Sequence, residues 1–79
     1  MARQARAELT NAQNDLNTAL TFYEEAGQAF RAIGNEYEAA RCLTAMSEIR
    51  RKRKLPDDAK IARSEADEAR LILERLSSS

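Results

Sequence analysis

The sequence predicts an all-α chain on three observations. Ala5, Leu9, Ala12, Leu16, Ala19, Tyr23, Ala26, Phe30 and Ile33 follow one another at alternating steps of four and three. That spacing draws one apolar stripe along a helical surface and fits no strand. Fifteen Ala, eight Leu and no Val, with a third of residues charged, favour helix over sheet. Breakers are scarce: one Pro and two Gly in 79 residues.

The stripe ends at Gly34, the residue type that adopts a left-handed helix cap at least cost. Asn35 then suits the N-cap of a second helix, with Glu36 and Glu38 in its first turn, where negative charge is favoured. That helix is expected to turn Tyr37, Ala40, Leu43, Met46 and Ile49 inward and to end in Arg50-Arg51-Lys52-Arg53-Lys54, cations at the negative end of the dipole. Pro56 stops it, because proline pushes the residue before it out of helical geometry. A third helix starts at the aspartates Asp57-Asp58, with Ala59, Ala62, Ala66, Ala69, Leu73 and Leu76 continuing the four-three spacing.

The first thirty-three residues could be one helix or two, since Asn14-Asp15 are turn formers inside an unbroken stripe. An internal repeat favours two. Shifted by forty residues, Ala5 falls on Ala45, Glu8 on Glu48, Leu9 on Ile49, Ala19 on Ala59, Glu25 on Glu65, Ala26 on Ala66, Ala29 on Ala69 and Ile33 on Leu73. The shift also lays "NDLNTA" on the proline turn "KLPDDA". Periods of this length belong to helical-hairpin repeats. The expectation is one domain over 1–79, with a hairpin at about 2–33 bent at Asn14-Asp15 and a second at about 36–76.

The stretch "ALTFYEEAGQAFRAIGNEYEAARCLTAMSEI" resembles the tetratricopeptide repeat in its longer form of about forty residues. Leu43 and Met46 match large positions of that family's first helix and Ser47 its small position. Ala19, Tyr23 and Ala26 match the small-large-small pattern of the second helix, with Ala59 and Ala66 repeating the small ones. Asn14 stands where the family often has a turn glycine. Arg3, Arg6, Arg50 and Arg63 replace apolar or aromatic residues, suggesting terminal, solvent-facing surfaces. The resemblance covers about residues 5–76. It implies antiparallel hairpins of a right-handed α-solenoid and a scaffold that binds a peptide or helix of a partner, as part of a larger regulatory or assembly protein. Two hairpins are few for a solenoid, so neighbouring repeats or self-association are expected to complete it.

Catalysis has little to work with. There is no histidine to serve as a base near neutral pH, and the lone Cys42 has no partner to activate it. Adjacent carboxylates such as Glu24-Glu25 point to different sides of a helix. No phosphate loop or metal-ligand spacing is present, so the reading is a non-enzyme without cofactor or metal. Thirteen basic residues balance thirteen acidic ones, which argues against nucleic acid and an anionic membrane as partners. Nothing resembles a secretory signal or a membrane span, so a cytoplasmic setting is expected. The basic run Arg50–Lys54 reads first as a solvated helix end answered by Asp57 and Asp58.

Carried onto this sequence, the resemblance makes Arg41, Thr44, Glu48, Arg51 and Lys52 the groove-facing, partner-binding positions. The family's carboxylate clamp of Lys and Asn is missing, since Thr44 and Glu48 stand there. A mixed groove with a basic end implies an acidic or amphipathic protein segment as partner. The alternative is a structural self-association element, in which the stripe forms an inter-chain helical bundle.

Overall fold

The computed structural model describes the backbone of residues 2–78 and the side chains of residues 14–78. Three helices follow one another: α1 over Ala2–Ala32, α2 over Glu36–Arg53 and α3 over Asp58–Ser78. Helix α2 is central. Helices α1 and α3 each run antiparallel to it, and among the described residues their backbones pack on α2 and not on each other.

The two turns form as their residues dictate. Gly34 takes φ 77°, Gly34 N–H donates to Arg31 O and Asn35 N–H to Phe30 O at 2.8 Å, the paired bonds of a Schellman cap. Asn35 Oδ1 accepts from Glu38 N–H, capping α2. At the other end Lys54, not Pro56, stops α2: it sits in the left-handed region at φ 59°, ψ 34° and donates its N–H to Arg50 O. Pro56 then belongs to the entry of α3, where Asp58 reaches back to accept from Leu55 N–H, in the manner of a capping box.

The expected bend at Asn14-Asp15 is absent, and with it the hairpin expected over 2–33. Helix α1 passes straight through both residues. Asn and Asp each cost a helix interior only about 0.5–0.7 kcal/mol relative to Ala, against many strong helix formers around them. The corresponding turn after α2 has Pro56 and a left-handed residue, which the "NDL" stretch lacks. A folded-back first segment would also set Arg3 where α2 has Leu43 and Thr10 where it has Arg50. Because Arg53 at the end of α2 bonds Asn17, α1 runs on past the other helices by about fifteen residues, ~22 Å at 1.5 Å per residue. The molecule is accordingly 56 Å long and 23 Å across.

The core has two halves. On the α1 side Leu20, Met46 and Ile49 are buried, with Leu16, Ala19 and Tyr23 against them. On the α3 side Ala40, Leu43 and Ala69 are buried, with Ile72 and Leu73 beside them. Leu20 was not on the expected stripe, although among the described residues of α1 it is the buried one. Helix α2 packs on the edge of the stripe marked by Leu20 and Gly27, where a Cβ built on Gly27 would stand 3.5 Å from Cys42 Cβ. Four expected inward residues face out: Ile33 at 75 % exposure, Tyr37 at 54 %, and Ala59 and Leu76.

Among the described residues no helix is long and apolar enough to cross a membrane.

Candidate protein-binding surface

Because α2 covers only one edge of the α1 stripe, Tyr23, Ala26 and Phe30 remain half-buried. They line an open groove with Phe22 on α1 and Glu38, Arg41, Cys42 and Ala45 on α2. Phe22 is 64 % exposed and stacks edge-to-face on Tyr23, with ring centroids 5.5 Å apart. The groove is apolar along α1 and carries one charge of each sign on α2, with Arg41 Nη1 3.6 Å from Glu38 Oε1. Surface ion pairs of this kind are weak and leave both groups available to a partner.

All five sequence-derived positions, Arg41, Thr44, Glu48, Arg51 and Lys52, are exposed and lie on one face of α2. Arg41 lines the groove; the other four lie farther round the same helix. Thr44 Oγ1 donates back to Ala40 O, so its hydroxyl is engaged within its own turn.

The other side of α2 is closed by charge. Glu24, Gln28, Arg31, Glu65 and Glu68 rim a cleft floored by Ala39, Leu43 and Met46, and Arg31 Nη2 spans it to Glu68 Oε1 at 2.6 Å.

The basic run splits in two. Arg51, Lys52 and Lys54 are exposed, whereas Arg50 and Arg53 turn inward. Arg50 was expected at solvent, yet its side chain is 12 % exposed. Its Nε donates to Glu65 Oε1 at 2.8 Å, and its Nη atoms lie 3.4 Å from Glu24 and 3.7 Å from Asp58. Arg53 grips both Asp58 oxygens, at 2.9 and 2.7 Å, and donates to Asn17 at 3.0 Å. The three helices thus meet in one ionic node. The pairing with Arg53 holds the 4 %-exposed Asp58 carboxyl down at about 2, helped by Leu55 N–H and Arg50, against the cost of burial. Burial pushes Glu65 up by more than its hydrogen bond to Arg50 pulls it down. The spacing of Arg50 three residues before Arg53, on the α3-facing side below Leu43 and Ser47, was the available sign of this node.

Arg63, also expected at solvent, is exposed, while Arg3 and Arg6 lie outside the described side chains. Burial, then the Glu38 charge, raises the Cys42 thiol, which keeps it protonated and poorly nucleophilic at neutral pH. Among the described residues no cluster of His, Cys, Asp or Glu could hold a metal ion.

Compared with protein-family models, curated proteins and solved structures, the chain matches none of them.

Proposed function

We propose that this chain is a non-enzymatic protein–protein interaction module whose α1–α2 surface receives a helix or peptide of a protein partner. One observation carries the reading: an apolar groove with exposed aromatic carbon along its rim, left open among the described residues. Contiguous exposed apolar surface of this kind costs solubility, and it is a common mark of an interaction site. The tetratricopeptide-like reading now rests on the second half of α1 and the α2–α3 hairpin, whose order suits it; of its small positions there, Ser47 is buried and Ala66 half-buried, whereas Ala59 is exposed. The second reading, inter-chain self-association, is favoured by the unbroken α1, which places the whole stripe on one rod. A cytoplasmic regulatory or assembly protein is the setting proposed.

A photo-crosslinking amino acid placed at Phe22 tests the reading, with one at Arg63 on α3 as the control. Polypeptide adducts from position 22 and not from 63 are expected; equal yields, or none, would remove the groove as a binding surface. Charge reversal at Arg51 and Lys52 is expected to weaken capture of an acidic segment, and unchanged affinity would take the outward face of α2 out of the site.

A further inference from the structure

We propose that the tip of the α2–α3 hairpin is a second docking surface, taking an acidic, aliphatic stretch of a polypeptide partner; this rests on the interaction-module reading but not on the groove. Thirteen bases balance thirteen acids in the sequence, yet the fold divides them. Between residues 48 and 63 the exposed charges are Arg51, Lys52, Lys54, Lys60 and Arg63 against Glu48 and Asp57. Across the rest of the described surface, acids outnumber bases. Among the described residues none of those five cations makes an ion pair, whereas every other cation does. The unanswered positive charge is therefore gathered at one end of the hairpin.

The turn holds the patch in place. Arg53 grips both oxygens of Asp58 at 2.9 and 2.7 Å, and Lys54 closes α2 by donating its N–H to Arg50 O. The last turn of α2 and the first turns of α3 are thereby fixed side by side. Cations arranged before a partner arrives lower the cost of binding it. Leu55, 50 % exposed at the tip, and Ile61, 38 % exposed on α3, lie among them. Positive charge around two aliphatic contacts fits carboxylates interspersed with aliphatic side chains. The guanidiniums of Arg51 and Arg63 can each take a carboxylate through two hydrogen bonds.

Two features favour a polypeptide over other polyanions. The aromatics Phe22, Tyr23, Phe30 and Tyr37 all lie outside this segment, so nothing in it stacks on a nucleic-acid base. Helix α1 runs on ~22 Å past the turn, at 1.5 Å per residue, so a flat bilayer approaching end-on meets that rod before the tip. A slender chain can enter the corner between rod and tip.

The probe is a fluorescein-labelled peptide of about twelve residues, mostly Glu with Leu interspersed, titrated by polarisation against the full chain. Binding is expected in dilute salt and should weaken ~tenfold between about 50 and about 300 mM NaCl, as screening of exposed charges requires. Lys60→Glu/Arg63→Glu should also weaken it about tenfold, with helicity by circular dichroism unchanged, since acids suit the start of a helix. Phe22→Ser in the groove should leave it unchanged. No binding, a double reversal without effect, or a loss in Phe22→Ser equal to that of the reversal overturns the tip. So does tighter binding to an oligothymidylate of the same charge, or to vesicles of phosphatidylcholine and phosphatidylserine, because the occupant would then be a phosphate polymer or a bilayer. Adducts from position 22 without peptide binding would sink the tip and keep the groove; peptide binding without those adducts would do the reverse.

Discussion

Helices α1 and α3 correspond under the forty-residue shift, yet their flanks are used in opposite ways. The flank of α1 that meets α2 carries Leu20, Tyr23, Gly27 and Phe30; the same positions of α3 are Lys60, Arg63, Asp67 and Arg70, all exposed. Conversely, α3 meets α2 through Ala62, Glu65, Ala69 and Leu73, whose counterparts Phe22, Glu25 and Ala29 on α1, and Ile33 just past its end, are exposed. So at these positions α3 turns charge outward, while α1 carries apolar residues both where α2 touches it and on the Phe22–Ala26 side of that contact. A repeat pattern fixes which residues correspond; the side chains at those positions decide whether a neighbour can dock.

The largest expected effect sets matched positions against each other. Leu20→Ala should cost about 2–4 kcal/mol in urea unfolding, a cavity between Met46 and Ile49, whereas Lys60→Ala at the equivalent place should stay within about 0.5 kcal/mol. Equal losses would mean that the two helices are used alike after all.

Next comes the ionic node, to which α3 brings the buried carboxylates Asp58 and Glu65 and α1 the exposed Glu24 and Asn17. Asp58 titrates at about 2 in the fold against 3.8 ordinarily, so its stabilisation is complete above the ordinary value and is lost as pH falls through 3.8 towards 2. The loss should be on the order of 2 kcal/mol in acid unfolding curves. Glu65 works the other way, because its raised carboxyl gains from protonation, and Glu65→Gln should shrink that opposing contribution while keeping a hydrogen-bond acceptor for Arg50. A profile that Asp58→Asn does not alter would remove the node from the account.

The smallest effects compare the two helix stops. Gly34→Ala should destabilise by about 1 kcal/mol, since its positive φ strains any side chain even in open space. Lys54→Gly should stabilise by up to about 1 kcal/mol, relieving that same strain at a residue which already bears it. Thermal midpoints moving in the same direction for both would contradict the left-handed assignment at one of them.

The helical class and both interhelical turns were legible because Gly34, Asn35 and Pro56 are strong local signals. The straightness of α1 was not, since the forty-residue shift equated Asn14-Asp15 with a turn whose proline it does not share. Nor was Leu20: helix periodicity places it beside the stripe, and only the seating of α2 against Gly27 makes that edge the buried one. Among the candidate site residues, Arg41, Thr44, Glu48, Arg51 and Lys52 came from the tetratricopeptide resemblance, and they share one exposed face of α2. The groove did not, because it depends on how far α2 sits off the centre of the α1 stripe. The inward turn of Arg50 was hidden in a run of five cations that reads uniformly until tertiary contacts sort it.

Since the backbones of α1 and α3 each pack on α2, and among the described residues not on each other, the molecule behaves mechanically as two hinges in series, bridged by the side chains of Arg31 and Glu68. Torque applied to the projecting end of α1 reaches α3 through α2, stiffened by the guanidinium of Arg50 and the strap from Arg31 to Glu68. Loading α1 along its length would therefore open the strapped cleft before it disturbs the α2–α3 hairpin, making that strap the natural gauge of force on the rod.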